Sequence, residues 1–207
     1  MKKRIALSAL LLLLLIGLPL VIYISRDAPD APEGAIAMIG DYPLTEETLN
    51  DYLFTAHVSG QSTKLMDVVK RYARFQIAAE EIEGTTHAMP ASQKEKLIKE
   101  ERENFYRDYE QNDAFCRQYG VTHEDLIRAA TTSRLNILNM GRHMTMVFEE
   151  HADVKNKQYT ADELSSLYET YITQKVDALE FIPIDEEALA VLAAAYPPSG
   201  TTEEAKP

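Results

Sequence analysis

The side chains able to do chemistry in this 207-residue chain are few and scattered. Five histidines occur, His57, His87, His123, His143 and His151. No two stand at i and i+4, the spacing that would turn both imidazoles toward one zinc ion from a single helix face. His143 and His151 come nearest, two helical turns apart, and a metal there is the weaker reading. The single cysteine, Cys116, can make neither an intramolecular disulfide nor a thiolate zinc site, and reads as a small buried hydrophobe. Neither a glycine-rich phosphate loop nor a Gly-x-Ser-x-Gly elbow is present. The acid pairs Glu80-Glu81 and Glu149-Glu150 fall on predicted helix faces with basic neighbours, so they read as solvated surface rather than a catalytic dyad. The expectation is no catalytic residue, no metal and no cofactor. What remains is adaptable apolar surface: Met140, Met144 and Met146 crowd together with Phe148, and methionine, flexible and polarizable, suits varied partners. The plainer alternative puts Met140 and Met144 in the core and leaves only Met146 free.

Helices must position these side chains. Thr45 has the type and place of an N-cap, with Glu46 and Glu47 in the first turn, where the helix dipole favours acids. That helix runs to about His57 and ends by Gly60. A second spans about Ser62 to Gly84, with Leu65, Val68, Val69, Tyr72, Phe75, Ala79 and Ile82 as its apolar stripe, and with Lys70, Arg71, Arg74, Glu80 and Glu81 on other faces. A third follows Pro90, with Ser92 and Glu95 at capping-box spacing. A fourth starts at Thr122 with the stripe Leu126, Ala130, Ser133, Ile137, Met140 and Met144, and a fifth starts at the Thr160/Glu163 capping box. Two short extended runs flank Gly40-Asp41, a Gly-X pair suited to a type II′ hairpin turn. Residues 176–184 alternate loosely and read as a strand that must pair with the 35–44 hairpin, because a lone strand leaves its backbone unsatisfied. Ala188 to Ala195 forms a last short helix, and Pro197 to Pro207 reads as a disordered tail.

At the other end, Lys2, Lys3 and Arg4 precede twenty uncharged residues, 5–24, including six consecutive leucines. Twenty helical residues span about 30 Å, the thickness of a bilayer's hydrocarbon core. The leading positive charges place residues 1–4 in the cytoplasm and the rest outside it. The segment is longer than an ordinary signal peptide's apolar region, and Pro29 and Pro32 follow the small residues at which cleavage would occur. A retained single-pass anchor in the cytoplasmic membrane is therefore expected, with secretion after cleavage as the alternative. Residues 25–34 form a spacer. From Asp27 onward about 17 basic residues face 33 acidic ones, a net charge near −16. This argues against nucleic acid as a partner and against lying flat on anionic lipid. The acidity serves solubility; a functional version of the same observation is a preference for basic segments in a polypeptide partner.

Four stretches carry a resemblance to a known family: Ile39-Gly40-Asp41-Tyr42-Pro43-Leu44-Thr45; Leu65-Met66-Asp67-Val68-Val69 with Ala78-Ala79-Glu80 and Gly84; Tyr119-Gly120-Val121-Thr122-His123-Glu124-Asp125-Leu126; and Thr160-Ala161-Asp162-Glu163-Leu164 with Leu167-Tyr168-Glu169. In order and spacing these resemble the N-terminal domain of the SurA, PrsA and PpiD-like foldases, over residues 35–184. The family's Asn-Gly turn is Gly40-Asp41 here. Where a parvulin isomerase strand would carry its histidine stands Glu180, and about 23 residues follow Ile184, so no isomerase domain is expected.

The resemblance implies a mainly helical, irregular multi-helix lobe with a small sheet made from an N-terminal hairpin and a C-terminal strand, behind one transmembrane helix, with residues 185–207 as a short helix and tail. It implies a non-enzymatic, extracytoplasmic chaperone that binds unfolded or exported polypeptides. A groove of Tyr52, Phe54, Tyr106, Met144 and Met146 is the expected peptide site, chosen on side-chain type. A dedicated module docking one membrane or secretion partner is the alternative, and a degenerate isomerase a third.

Overall fold

A computed structural model of the chain describes residues 31–150 and 159–197. The apolar segment 5–24, His151 and most of the tail lie outside the described residues, and so do the expectations attached to them. Among the described residues no helix is long and apolar enough to cross a membrane.

Ala35–Ile39 (β1) and Tyr42–Thr45 (β2) form an antiparallel hairpin in which Ile39 faces Tyr42, leaving Gly40-Asp41 as a two-residue turn. Gly40 has φ +56° and no other residue of the turn has positive φ, as the Gly-X spacing predicts. Phe181–Pro183 (β3) adds to the free side of β1, giving the order β2-β1-β3. As the central strand, β1 is covered on both faces, and its uninterrupted Ala-Ile-Ala-Met-Ile sequence suits that position. Each edge strand is short and carries a proline, Pro43 or Pro183, where the missing N–H costs no ladder bond and discourages pairing with another chain.

Thr45 caps the helix that follows, Glu46–Val58 (α1), accepting from the Thr48 N–H at 3.2 Å. Leu49, Leu53 and Ala56 on one stripe of α1 are fully buried. Next come Leu65–Ile82 (α2), Ala91–Arg107 (α3), Tyr109–Tyr119 (α4), the long His123–Glu150 (α5), Ala161–Asp177 (α6) and, after β3, Glu186–Ala195 (α7). The main core lies where α1, α2, α6 and α7 meet the sheet and the C-terminal half of α5; a smaller one joins Phe105, Cys116 and Ile127 of α3, α4 and α5. A residue such as Ile172, with no exposed surface, contributes roughly 1.5–3 kcal/mol through burial of its side chain.

Several local expectations hold in detail. The Thr160/Glu163 capping box is complete, Thr122 and Asp125 cap α5 reciprocally, and Gly120, at φ +66°, closes α4 in the left-handed conformation. Three need correction. The strand drawn over 176–184 shrinks to Phe181–Pro183, because α6 runs on to Asp177; Val176 belongs to the helical i, i+4, i+8 stripe Tyr168, Ile172 and Val176, all buried. The Ser92/Glu95 capping box does not form, since Pro90 rather than Ser92 takes the N-cap position, two residues earlier, with no side-chain cap. The stripe assigned to α5 holds only in part: Leu126, Met140 and Met144 pack partly buried against the two cores, but Ala130 and Ile137 are exposed, and the buried residues are Ile127, Ala129, Thr131, His143, Met146 and Val147.

Candidate functional site

One face of α5 borders a cleft. Residues 129, 132, 133, 136, 137 and 140 recur at the spacing of one helical face and line an open cavity of about 540 Å³ shared with α1 and α2. Its floor is apolar: Tyr52 of α1, Phe75 of α2, and Ala129, Ile137 and Met140 of α5. Ile137 is 65% exposed, an aliphatic side chain left facing solvent. Thr55, Ser59 and Gln61 form one polar rim, with Thr132, Ser133 and Asn136 across from it.

The floor is held rigidly. Tyr52 packs edge-on to Tyr72, ring centroids 5.5 Å apart, and its hydroxyl accepts from Asn136 Nδ2 at 2.7 Å, tying α1 to α5 across the cleft. Burial pushes the Tyr52 phenol well above its ordinary value and the Tyr72 phenol up to about 12, so both stay protonated, and the Tyr72 hydroxyl donates to the Pro43 carbonyl. At one end Asp51, almost buried, accepts two hydrogen bonds from Arg128, 2.8 Å from Nε and 2.9 Å from Nη2; Arg128 also reaches Glu47 at 2.9 Å and Asp125 at 3.0 Å. The Asp51 hydrogen bonds chiefly hold the guanidinium above its ordinary value, against the opposing effect of burial.

The α2 wall is basic. Lys70, Arg71 and Arg74, expected on an ordinary solvated face, line the cleft together. Lys70 pairs with Asp177 at 2.7 Å and Arg74 with Glu169, both on α6. Exposed pairs of this kind contribute at most about 1 kcal/mol each to stability. Arg71 is half-buried and forms neither an ion pair nor a hydrogen bond among the described residues; burial lowers its pKa, with the field of Asp67 acting the other way.

A second polar assembly lies inside the molecule. His143 has no exposed surface; its Nδ1 is 2.8 Å from the Tyr168 hydroxyl and its Nε2 is 2.7 Å from Glu81 Oε2. Glu81 also accepts from the Tyr171 hydroxyl at 3.1 Å and from Lys175. The solvated role expected for Glu81 is therefore wrong: it is the acceptor at the centre of a network joining α2, α5 and α6, whereas its neighbour Glu80 is exposed and accepts from Tyr42. The assembly is buried at His143 and reaches solvent at Glu81 and Lys175, whose side chains are 27% and 38% exposed. Among the described residues, no group of three or more histidine, cysteine, aspartate or glutamate side chains could hold a metal ion. Cys116 is buried, and that burial raises its thiol pKa.

Of the five residues expected to form a groove, Tyr52 alone lines the cleft. Phe54, two positions on, points elsewhere and is buried against Phe115 and Tyr119. Tyr106 stands half-exposed near the α3–α4 junction, its ring stacked on Tyr109 at 6.3 Å. Met146, expected to be free, is buried, and Met144 packs partly buried against the main core. Side-chain type selected these residues, but the faces of α1 and α5 that meet other helices claimed three of them. Arg71, Ile137 and Asn136 were missed; the cationic cluster at 70, 71 and 74 was the one signal available in advance. Compared with known proteins, the chain matches no family model, no curated protein and no solved structure.

Proposed function

We propose that this protein is a membrane-anchored, extracytoplasmic binder of unfolded or exported polypeptides, acting as a chaperone without catalysing a reaction. The observation that carries the reading is the cleft between α1, α2 and α5: open, lined by both apolar and polar side chains, and with Ile137 left exposed among them. A cavity of this size and lining suits a few side chains of an extended segment, the apolar ones on the floor and the main chain against rim hydroxyls and amides. The uncharged segment 5–24 behind basic residues supplies the anchor and the orientation, and the order of hairpin, helices and returning strand agrees with the foldase resemblance. The full chain in lipid nanodiscs should slow aggregation of a chemically unfolded client at several-fold molar excess. No slowing at that ratio counts against the proposal.

A dedicated docking module for one membrane or secretion partner is the second reading. Its support is the stacked pair Tyr106 and Tyr109, both exposed and outside the cleft, since tyrosine is enriched where proteins meet. Recovery from membranes separates the two: a single stoichiometric partner favours the module, many exported chains favour the chaperone.

A further inference from the structure

The cleft is lined by three acids, Asp51, Asp67 and Glu169, and three cations, Lys70, Arg71 and Arg74, but their hydrogen bonds are not evenly matched. Of its acids, Asp51 is neutralised by Arg128 and Glu169 by Arg74, while Asp67, one turn before Arg71, accepts from the Ser62 hydroxyl at 2.5 Å. Of its cations, Lys70 and Arg74 have carboxylate partners and Arg71 has none among the described residues. A half-buried guanidinium without an acceptor has lost part of its hydration and gained no hydrogen bond in exchange, a deficit that an incoming carboxylate would fill. Its five donors form a planar fork matched to both oxygens of a carboxylate.

We infer that the cleft takes extended peptide segments in which an aspartate or glutamate adjoins an aromatic or aliphatic residue, the carboxylate pairing with Arg71 while the apolar side chain lies on Ile137, Met140 and Phe75. This rests on the peptide-binding reading and names its substrate class. It reverses the expectation drawn from composition. The acidity of the whole chain repels an acidic segment at long range, but that repulsion is screened beyond a Debye length of about 8 Å at physiological salt. Inside the cleft the charged side chain left without a hydrogen-bond partner among the described residues is the Arg71 guanidinium, and the reduced dielectric strengthens what happens at contact.

The test uses the full chain in nanodiscs of neutral lipid and three unstructured fluorescent peptides, identical except that the residues flanking a central Phe-Leu are Glu, Gln or Lys. Fluorescence anisotropy should show the Glu peptide binding on the order of tenfold more tightly than the Gln peptide at physiological salt, with the Lys peptide weakest and the Glu/Gln ratio shrinking as salt rises further. In Arg71→Gln the Glu/Gln ratio should fall to about 1, and Arg71→Lys should restore part of it. Circular dichroism shows whether each variant is folded; if Arg71→Gln is not, the wild-type ratio and its salt dependence decide. Equal binding of the Glu and Gln peptides, tighter binding of the Lys peptide, or a ratio that survives in folded Arg71→Gln overturns the inference and leaves the peptide-binding reading standing. Binding of none of the three overturns both.

Discussion

His143 Nε2 lies 2.7 Å from Glu81 Oε2, a contact between α5 and α2 made across 62 positions of sequence. With its proton on Nε2 the imidazole donates to Glu81 and accepts from Tyr168, so one fully buried ring satisfies both partners and fixes three helices against one another. The cleft depends on this, because α2 and α5 are its walls. Replacing His143 by leucine keeps the volume but leaves the Tyr168 hydroxyl buried without its partner. The expected loss is about 1–3 kcal/mol, read as a lower urea midpoint with an unchanged slope. An unaltered midpoint would show that the network does not hold the helices.

Burial by itself would raise the Glu81 carboxyl, yet the hydrogen bonds from Lys175 and His143 more than offset it and hold it below its ordinary 4.5. A group whose folded value is depressed contributes stability that is present above the unfolded value and lost as pH falls through the folded one. Asp125 acts in the same direction, held down chiefly by the Thr122 hydroxyl. The protein should therefore weaken as pH drops below about 4.5, and Glu81→Gln should flatten that acid limb. Parallel limbs for the two proteins in urea titrations between pH 7 and pH 3 would contradict the assignment.

Arg128 grips Asp51 through two hydrogen bonds, a geometry lysine cannot reproduce. Arg128→Ala leaves an almost buried carboxylate unpaired and should cost about 3–5 kcal/mol; Arg128→Lys should cost less. Thermal unfolding would expose the error if the two variants proved equal.

Ile137 and Ile172 are the same residue in opposite circumstances, one 65% exposed in the cleft and the other with no exposed surface in the core. Ile137→Ser should change stability by no more than about 0.5 kcal/mol and yet abolish protection of an unfolded client. Ile172→Ala should cost about 2–5 kcal/mol, and the fraction that remains folded should still protect. Normal client protection by Ile137→Ser would remove the cleft from the mechanism.

Gly40 combines φ +56° with a close approach: a Cβ placed there would stand 2.7 Å from Leu179 Cδ2. Its N–H also donates to the Glu180 carbonyl at 2.9 Å, joining the turn to the chain just before β3. Gly40→Ala should destabilise by roughly 1–3 kcal/mol from the left-handed backbone and displacement of Leu179. Gly84, also at positive φ but with open space around it, should lose only the backbone part when changed to alanine. Comparing the two melting temperatures isolates the contact, and equal losses would argue against it.

The sequence by itself determined whatever is settled within four residues. Thr45 and Thr160 cap their helices because hydroxyl and N–H lie one turn apart, and Gly40-Asp41 turns the hairpin because only glycine adopts the first dihedral cheaply. The need for β3 to pair with the hairpin was legible too, since a strand's backbone must be satisfied somewhere. Only the tertiary structure decided what stands opposite each stripe. A helical period says that Ser133, Ile137 and Met140 share a face, but not that this face meets solvent while His143 and Met146 meet the core. Glu81 looked like half of a solvated pair until α5 and α6 brought His143, Tyr171 and Lys175 to it, and Arg71 looked like one charge among many until Lys70 and Arg74 found partners on α6 and it did not. Burial and charge compensation are properties of neighbours distant in sequence, and no local pattern encodes which neighbours those will be.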